Sequence, residues 1–99
     1  MRIMDKAAAR RIFDSFLEQK EKAIGQPLAC FDDNVERIGG GWAFRYQGRA
    51  WVETRNMDDL SGFLVGHGPV VVLDTGEVLE GGSLDRDPNE IVRRHSASL

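Results

Sequence analysis

Through the first quarter of the chain, Ala9, Ile12, Phe13, Phe16 and Leu17 recur at three- and four-residue steps, with Lys6, Arg10, Arg11, Asp14, Glu18 and Glu21 between them. That spacing lays one apolar stripe along a helix, so it predicts an amphipathic helix from Met4 to about Ile24. Gly25 and Pro27 end it, the first as a left-handed cap and the second as a helix breaker. Beyond Pro27 the period shortens to two. Leu28 to Phe31 is a short apolar run closed by Asp32-Asp33-Asn34, and Trp42, Phe44 and Tyr46 alternate with Ala43, Arg45 and Gln47, the signature of a strand with one buried face. Gln47-Gly48 turns the chain into Arg49–Thr54, which reads as a further strand. Residues 56–68 read as a connection holding one helical turn around Leu60, Phe63 and Leu64. Val70-Val71-Val72-Leu73 is β-branched enough for a central strand, and Glu77–Glu80 has the length to return beside it before Gly81-Gly82. Asp87-Pro88-Asn89-Glu90 then supplies an N-cap, a proline at the first helical position and a glutamate at N3, predicting a short terminal helix. The expected fold is α+β, one domain over residues 1–99: an N-terminal helix packed on an antiparallel sheet of about four strands, with a short C-terminal helix.

One motif inside this pattern carries a sharper possibility. Asp74-Thr75-Gly76 follows an apolar strand, as the catalytic loop of an aspartic protease does, and Gly39-Gly40-Gly41 resembles a flap tip. The order along the chain argues against a small aspartic-protease-like enzyme. In single-domain aspartic proteases the Asp-Thr-Gly loop precedes the flap, whereas here the glycines come first, and Glu77 would crowd the dyad with an extra carboxylate. A three-residue hairpin loop explains the same letters, with Asp74 capping the turn and Gly76 in the left-handed conformation.

Composition narrows the remaining chemistry. The 99 residues carry 16 acidic against 13 basic side chains, a net charge of −3, which opposes approach to phosphate backbones and favours a basic partner over nucleic acid. The single Cys30 cannot form an internal disulfide, and MRIMDKAAARR lacks the apolar core of a signal peptide, so a reducing cytoplasm is the expected compartment. No apolar run reaches the roughly 18 residues of a membrane span. Cys30 reads as a small buried hydrophobe. His67, between glycines, reads as a loop residue, since a metal site needs further ligands at suitable spacing; neither metal nor cofactor is expected. Gly39-Gly40-Gly41 lacks the residues of a phosphate loop and suits a bend or bulge before Trp42. Trp42 and Trp51 read as core or sheet-face residues, with interface anchoring as the alternative. No nucleophile–base–orienter set is visible, and no catalytic residue is assigned.

Taken in order, Gly41-Trp42, Val52-Glu53-Thr54, Gly66-His67-Gly68-Pro69 and Thr75-Gly76-Glu77 resemble the motif series of the immunity protein 35 (YrhB domain) family, bacterial proteins often encoded beside polymorphic toxins. The resemblance covers roughly residues 41–82, with the leading helix agreeing in character. It implies a toxin-neutralising immunity protein: a stoichiometric inhibitor that binds a cognate bacterial toxin, encoded next to it, and blocks its active site inside the cell. Fast docking of that kind gains from charge complementarity, which raises association rates from about 10⁵–10⁶ to 10⁸–10⁹ M⁻¹s⁻¹. Asp32, Asp33 and Glu36, the pair Asp58-Asp59, and Trp51 as an aromatic anchor are accordingly the expected toxin-binding residues. A housekeeping, chaperone-like protein-binding domain is the alternative reading.

Overall fold

The computed structural model describes residues 3–55, 63–64, 66–82, 84–85 and 87–97. Helix α1 spans Lys6–Ile24. The Asp5 carboxylate caps it by accepting from the Ala8 amide at 2.7 Å, and Gly25 closes it at φ 83° with its amide on the Glu21 carbonyl. Three short strands follow, β1 (Leu28–Cys30), β2 (Glu36–Ile38) and β3 (Gly41–Phe44), with a 3-10 turn at Asp32–Asn34 between the first two. Strand β4 (Tyr46–Gly48) leads directly into helix α2 (Arg49–Thr54), and β5 (His67–Leu73), β6 (Val78–Gly82) and helix α3 (Pro88–Ala97) complete the chain. None of the described helices is long and apolar enough to cross a membrane.

The main sheet has the order β2-β3-β5-β6, antiparallel throughout, and β1 pairs with β4 in a separate two-stranded ladder. Period two decides what each strand buries. Val70 and Val72 point into a cluster with Ala9, Phe13 and Leu17 of α1 and with Phe44, Tyr46, Leu28 and Cys30. Val71 and Leu73 point the other way, into a cluster with Ile38, Ala43 and Ile91 of α3. The sheet is therefore covered by a helix on each side. Trp42, Phe44 and Tyr46 all pack on the α1 cluster, as their alternation predicts, although β4 has left the main sheet by the time Tyr46 is reached.

Local turn chemistry agrees with the letters. Gly76 lies at φ 92° and donates to the Leu73 carbonyl, while Leu73 and Glu77 close the β5–β6 hairpin around a three-residue loop. Gly39-Gly40, expected to bend the start of the Trp42 strand, instead forms the two-residue link between β2 and β3, a strand the pattern does not predict. Gly41 next to it lies so close to β5 that a Cβ would come within 2.5 Å of the Val72 carbonyl oxygen. Near the other end of β5 the register slips between His67 and Val70, a bulge centred on Gly68-Pro69, where the proline has no amide to contribute to the ladder.

One element departs from expectation. Arg49–Thr54 forms helix α2 rather than a strand. Its tryptophan, valine and threonine favour strands, but the Arg49 amide bonds the Pro27 carbonyl at 3.0 Å and the chain winds from there, closing at Arg55 in the left-handed region (φ 51°).

Phe13 is fully buried, with its ring stacked 4.6 Å from Phe44 at 6°. Phe13→Ala is expected to cost about 3–5 kcal/mol in denaturant unfolding, and the half-buried Phe16 less on truncation. An unchanged unfolding midpoint for Phe13→Ala would contradict this packing.

Candidate functional site

The element that departs from the sequence reading also builds one wall of an aromatic cavity. The Phe31 amide donates to the Arg45 carbonyl at 2.9 Å, which holds Phe31 beside the β3–β4 bend. Trp51, on the first turns of α2, meets Phe31 edge-on at 6.0 Å between centroids and Phe63 at 5.1 Å. Gln47 sets the third ring in place. It is 5 % exposed, and its amide bonds both backbone groups of Leu64: Nε2 donates to the carbonyl at 3.0 Å, and Oε1 accepts from the amide at 2.5 Å. A side chain thus does for residue 64 what a neighbouring strand would do. His67 closes the ring of residues, its imidazole 4.5 Å from the Tyr46 ring and its Nε2 2.8 Å from the Tyr46 carbonyl. Phe31, Trp51, Phe63, Leu64, His67 and Pro69 line a cavity of about 550 Å³, with Arg45 and Asp85 also on its wall. That volume falls in the range of ordinary ligand sites.

The polar inventory around this cavity and its neighbour is unusual, the Tyr46 hydroxyl lying toward Lys20 and Glu80 of the neighbour. Trp51 Nε1, His67 Nδ1 and the Tyr46 hydroxyl are buried without a hydrogen-bond partner. Buried polar groups are nearly always satisfied, and leaving one unmade costs about 1–3 kcal/mol. The charged groups behave oppositely. Arg45 bonds Asn34 and Glu36, at 3.4 and 3.2 Å, and Asp85 accepts from the Gly82 amide and from Arg94, at 2.7 and 2.5 Å. A second cavity shares Tyr46, Leu64 and His67 and reaches Lys20 and Glu80, which pair at 2.5 Å. Among the described residues no three His, Cys, Asp or Glu side chains gather as a metal ion requires. Burial pushes the Cys30 thiol up to about 11, the behaviour of a packed side chain rather than a reactive one.

The expected binding residues fall partly around this cavity. Asp32 and Asp33 lie on the exposed 3-10 turn after Phe31, and each meets an arginine: Asp32 pairs with Arg10, and Asp33 with Arg55 at 3.5 Å. Arg55 in turn stacks over Phe31, at 4.5 Å. Glu36 pairs with Arg45. These carboxylates are more nearly neutralised than the sequence implies, but the Asp32 and Asp33 side chains remain 72 % and 73 % exposed. Asp58 and Asp59 lie outside the described residues. Trp51 is half-buried and central to the cavity wall. The sequence reading places Phe31, Phe63 and Gln47 in structural elements without counting them among the binding residues, and treats His67 as a loop residue, whereas it opens β5 with its ring engaged. The available signal was three aromatics spread over about thirty residues with no period linking them.

Compared with known proteins, the chain matches no family model, no curated protein and no solved structure.

Asp74 lies in the β5–β6 turn, as expected, but its side chain bonds outside the turn instead of capping it. Arg37 donates to both of its oxygens, at 2.7 and 2.8 Å, and the Met4 amide donates to Oδ1 at 3.1 Å. The Met4 carbonyl accepts from Trp42 Nε1 at 2.8 Å, and the Asp74 amide reaches the Gly40 carbonyl at 2.9 Å. The carboxylate therefore ties both hairpin turns to the segment that starts α1, and both of its oxygens are committed. The Arg37 guanidinium, helped by the Met4 amide and opposed by desolvation, holds the Asp74 carboxyl below its ordinary 3.8. A depressed carboxyl stabilises the fold fully above its unfolded value, and that contribution is lost as pH falls from about 3.8 through the lower folded value.

Unfolding curves across pH 7 to 2 are expected to show the wild type losing more stability on acidification than Asp74→Asn, with the excess appearing below pH 4. Parallel curves would dissolve the role given to Arg37 and Asp74. Gln47→Ala is expected to release Leu64 and Phe63, changing Trp51 fluorescence at a stability cost of about 1–3 kcal/mol. A variant with wild-type emission would show that the aromatic wall stands without the Gln47 clamp.

Proposed function

We propose that the chain is a toxin-neutralising immunity domain, working inside the producing cell, that binds a cognate protein toxin encoded beside it and blocks the toxin's active site. The motif series supports the family, and one structural observation supports the mode of action: an aromatic cavity with unpartnered polar atoms opens beside an exposed acidic turn. Interfaces draw most of their affinity from a few aromatic anchors seated in desolvated pockets, with charge at the rim setting the rate of encounter. Phe31, Trp51 and Phe63 supply the pocket, and Asp32 and Asp33 the rim. Their ion pairs with Arg10 and Arg55 are exposed, and such pairs are worth about 0–1 kcal/mol, so a basic partner exchanges them at little cost. The weight of binding thus moves from the carboxylates to the cavity.

The motif residues themselves serve the scaffold. Gly41 lets β3 approach β5, Trp42 holds Met4, Gly68-Pro69 makes the bulge and Gly76 the turn. They keep the cavity in place, and His67 and Pro69 of the same series line it, whereas Phe31, Trp51 and Phe63 lie outside the series and are free to differ between partners. That division suits inhibitors shaped to individual toxins.

The test is co-purification with the product of the adjacent reading frame, followed by titration. Trp51→Ala is expected to weaken binding at least roughly 30-fold, the loss of one anchor worth about 2 kcal/mol or more, with circular dichroism unchanged. Lysines at Asp32 and Asp33 are expected to slow association and flatten its salt dependence. A neighbouring product that does not bind, or a folded Trp51→Ala domain that binds as tightly as the wild type, would defeat the proposal.

A further inference from the structure

At the rim of the cavity the chain sets its own arginines on its own carboxylates. Asp32 holds Arg10, Glu36 holds Arg45 at 3.2 Å, and Asp33 holds Arg55 at 3.5 Å. Helix α1, the β3–β4 bend and the end of α2 thus each send a guanidinium to the same short segment. Arg55 also covers an aromatic ring. Its guanidinium carbon lies 4.5 Å from the centre of Phe31, a wall of the cavity, well within the range of a cation–π contact.

The three arginines are not held equally. Arg10 also bonds Asp14 at 2.9 Å, and Arg45, with its side chain 26 % exposed, also reaches Asn34. The Arg55 side chain is 47 % exposed, and its contact with Asp33 is longer than an ordinary N–H···O bond. Its Nε donates to the Val52 carbonyl at 3.0 Å, a group at the end of α2 that water also satisfies. The backbone asks for no arginine at this position. Arg55 closes α2 at φ 51° and ψ 29° with its amide on the Trp51 carbonyl at 2.7 Å, a left-handed cap that glycine and asparagine fill most readily. What arginine adds is a planar cation joining the Phe31 face to the Asp33 carboxylate.

We propose that Arg55 is an internal stand-in for an arginine of the protein partner, seated on Phe31 and Asp33 in the free domain and displaced on docking. The assignment rests on the protein-binding reading above and names the residue the partner brings. Charge complementarity selects it: the turn carries Asp32 and Asp33 in a chain of net charge −3, so the displaced cation is best replaced by another. Arginine fits better than lysine, because its planar fork stacks on a ring and meets a carboxylate with more than one donor, whereas an ammonium is a strongly hydrated point charge. Until the partner arrives, Arg55 covers Phe31 and neutralises Asp33. A stray basic chain then gains little, and a partner that also fills the cavity wins the exchange.

The first test needs no partner. In ¹H–¹⁵N spectra of the intact domain, Arg55→Asn, which keeps the left-handed cap, is expected to bind an acetyl-Gly-Arg-Gly-amide peptide about three- to thirtyfold more tightly than the wild type, with shifts centred on the Phe31 and Asp33 amides. The matched lysine peptide is expected to bind at least about threefold more weakly. Arg55→Gly should repeat the gain, so that a folding defect in one variant does not decide the result. Adding Phe31→Leu or Asp33→Asn to Arg55→Asn should erase the preference for arginine. Equal binding of the two peptides, equal binding by the wild type and both Arg55 variants, or no saturable shift at Phe31 and Asp33 would overturn the site. With the product of the adjacent reading frame, Arg55→Asn is expected to tighten binding by a similar factor, and a single Arg→Lys change in that product to abolish the gain. Unchanged affinity for Arg55→Asn in a complex that does form would overturn the partner's arginine while leaving the toxin-binding reading in place. A product that does not bind at all sinks that reading, and the peptide titrations then decide the arginine site by themselves.

Discussion

Everything in this domain hangs on a strand shielded on both faces. Val70, Val71 and Val72 have no exposed surface, two of them facing α1 and the third α3. A strand in that position must be apolar without interruption, and its neighbours must come close. Glycine meets the second demand at Gly41, where β3 passes the Val72 carbonyl with no room for a Cβ. The two hairpin turns at the end of this layer are then joined by Arg37 and Asp74, whose ion pair also receives the Met4 amide. The start of α1 is thereby fixed by the same carboxylate that sits in the β5–β6 turn, linking residues 70 positions apart.

The candidate site grows from the other end of the same strand. At Gly68-Pro69 the ladder slips by one residue, and a Cβ on Gly68 would overlap the Gly82 carbonyl oxygen. His67, just before the bulge, is turned onto Tyr46. The β3–β4 bend at Arg45 takes the chain out of the main sheet and into α2, which puts Trp51 opposite Phe31. Gln47 then fastens Leu64 alongside. The cavity is a by-product of two interruptions in otherwise regular pairing, and interruptions of this kind are where sheets place functional side chains.

Regular elements were readable from the chain, and long-range ones were not. Helix α1 declares itself through an apolar stripe with Asp5 and Gly25 at its ends, and α3 through Asp87-Pro88, where the Asp87 carboxylate accepts from the Asn89 amide at 3.0 Å. Glu90, at N3, pairs with Arg93. The β5–β6 hairpin follows from a β-branched run and Gly76. Helix α2 was misread because Trp51, Val52 and Thr54 prefer strands, and six residues of weak local preference yield to tertiary contacts with Phe31 and Phe63. Strand β2 is three residues with only Ile38 buried, too short for a period to show. Asp74 was correctly placed in a turn, yet its partner Arg37 is 37 residues away, and nothing local announces such a pair. Of the site, Trp51 and the acidic turn were legible as single candidates; the cavity joining Trp51 to Phe63 and His67 depends on Gln47, a residue whose polarity argues for the surface until its buried bonds are seen.

The proposed separation between scaffold and binding face is tested most directly by hydrogen exchange of the domain, free and mixed with its proposed partner, the product of the adjacent reading frame. Binding through the aromatic cavity requires slowed exchange in Arg49–Thr54 and from Leu64 to Gly68, with the already protected amides of Val70–Leu73 little altered. Slowing confined to α3 or to the β6 edge, with α2 exchanging as in the free protein, would contradict it and move the partner to the opposite face of the sheet.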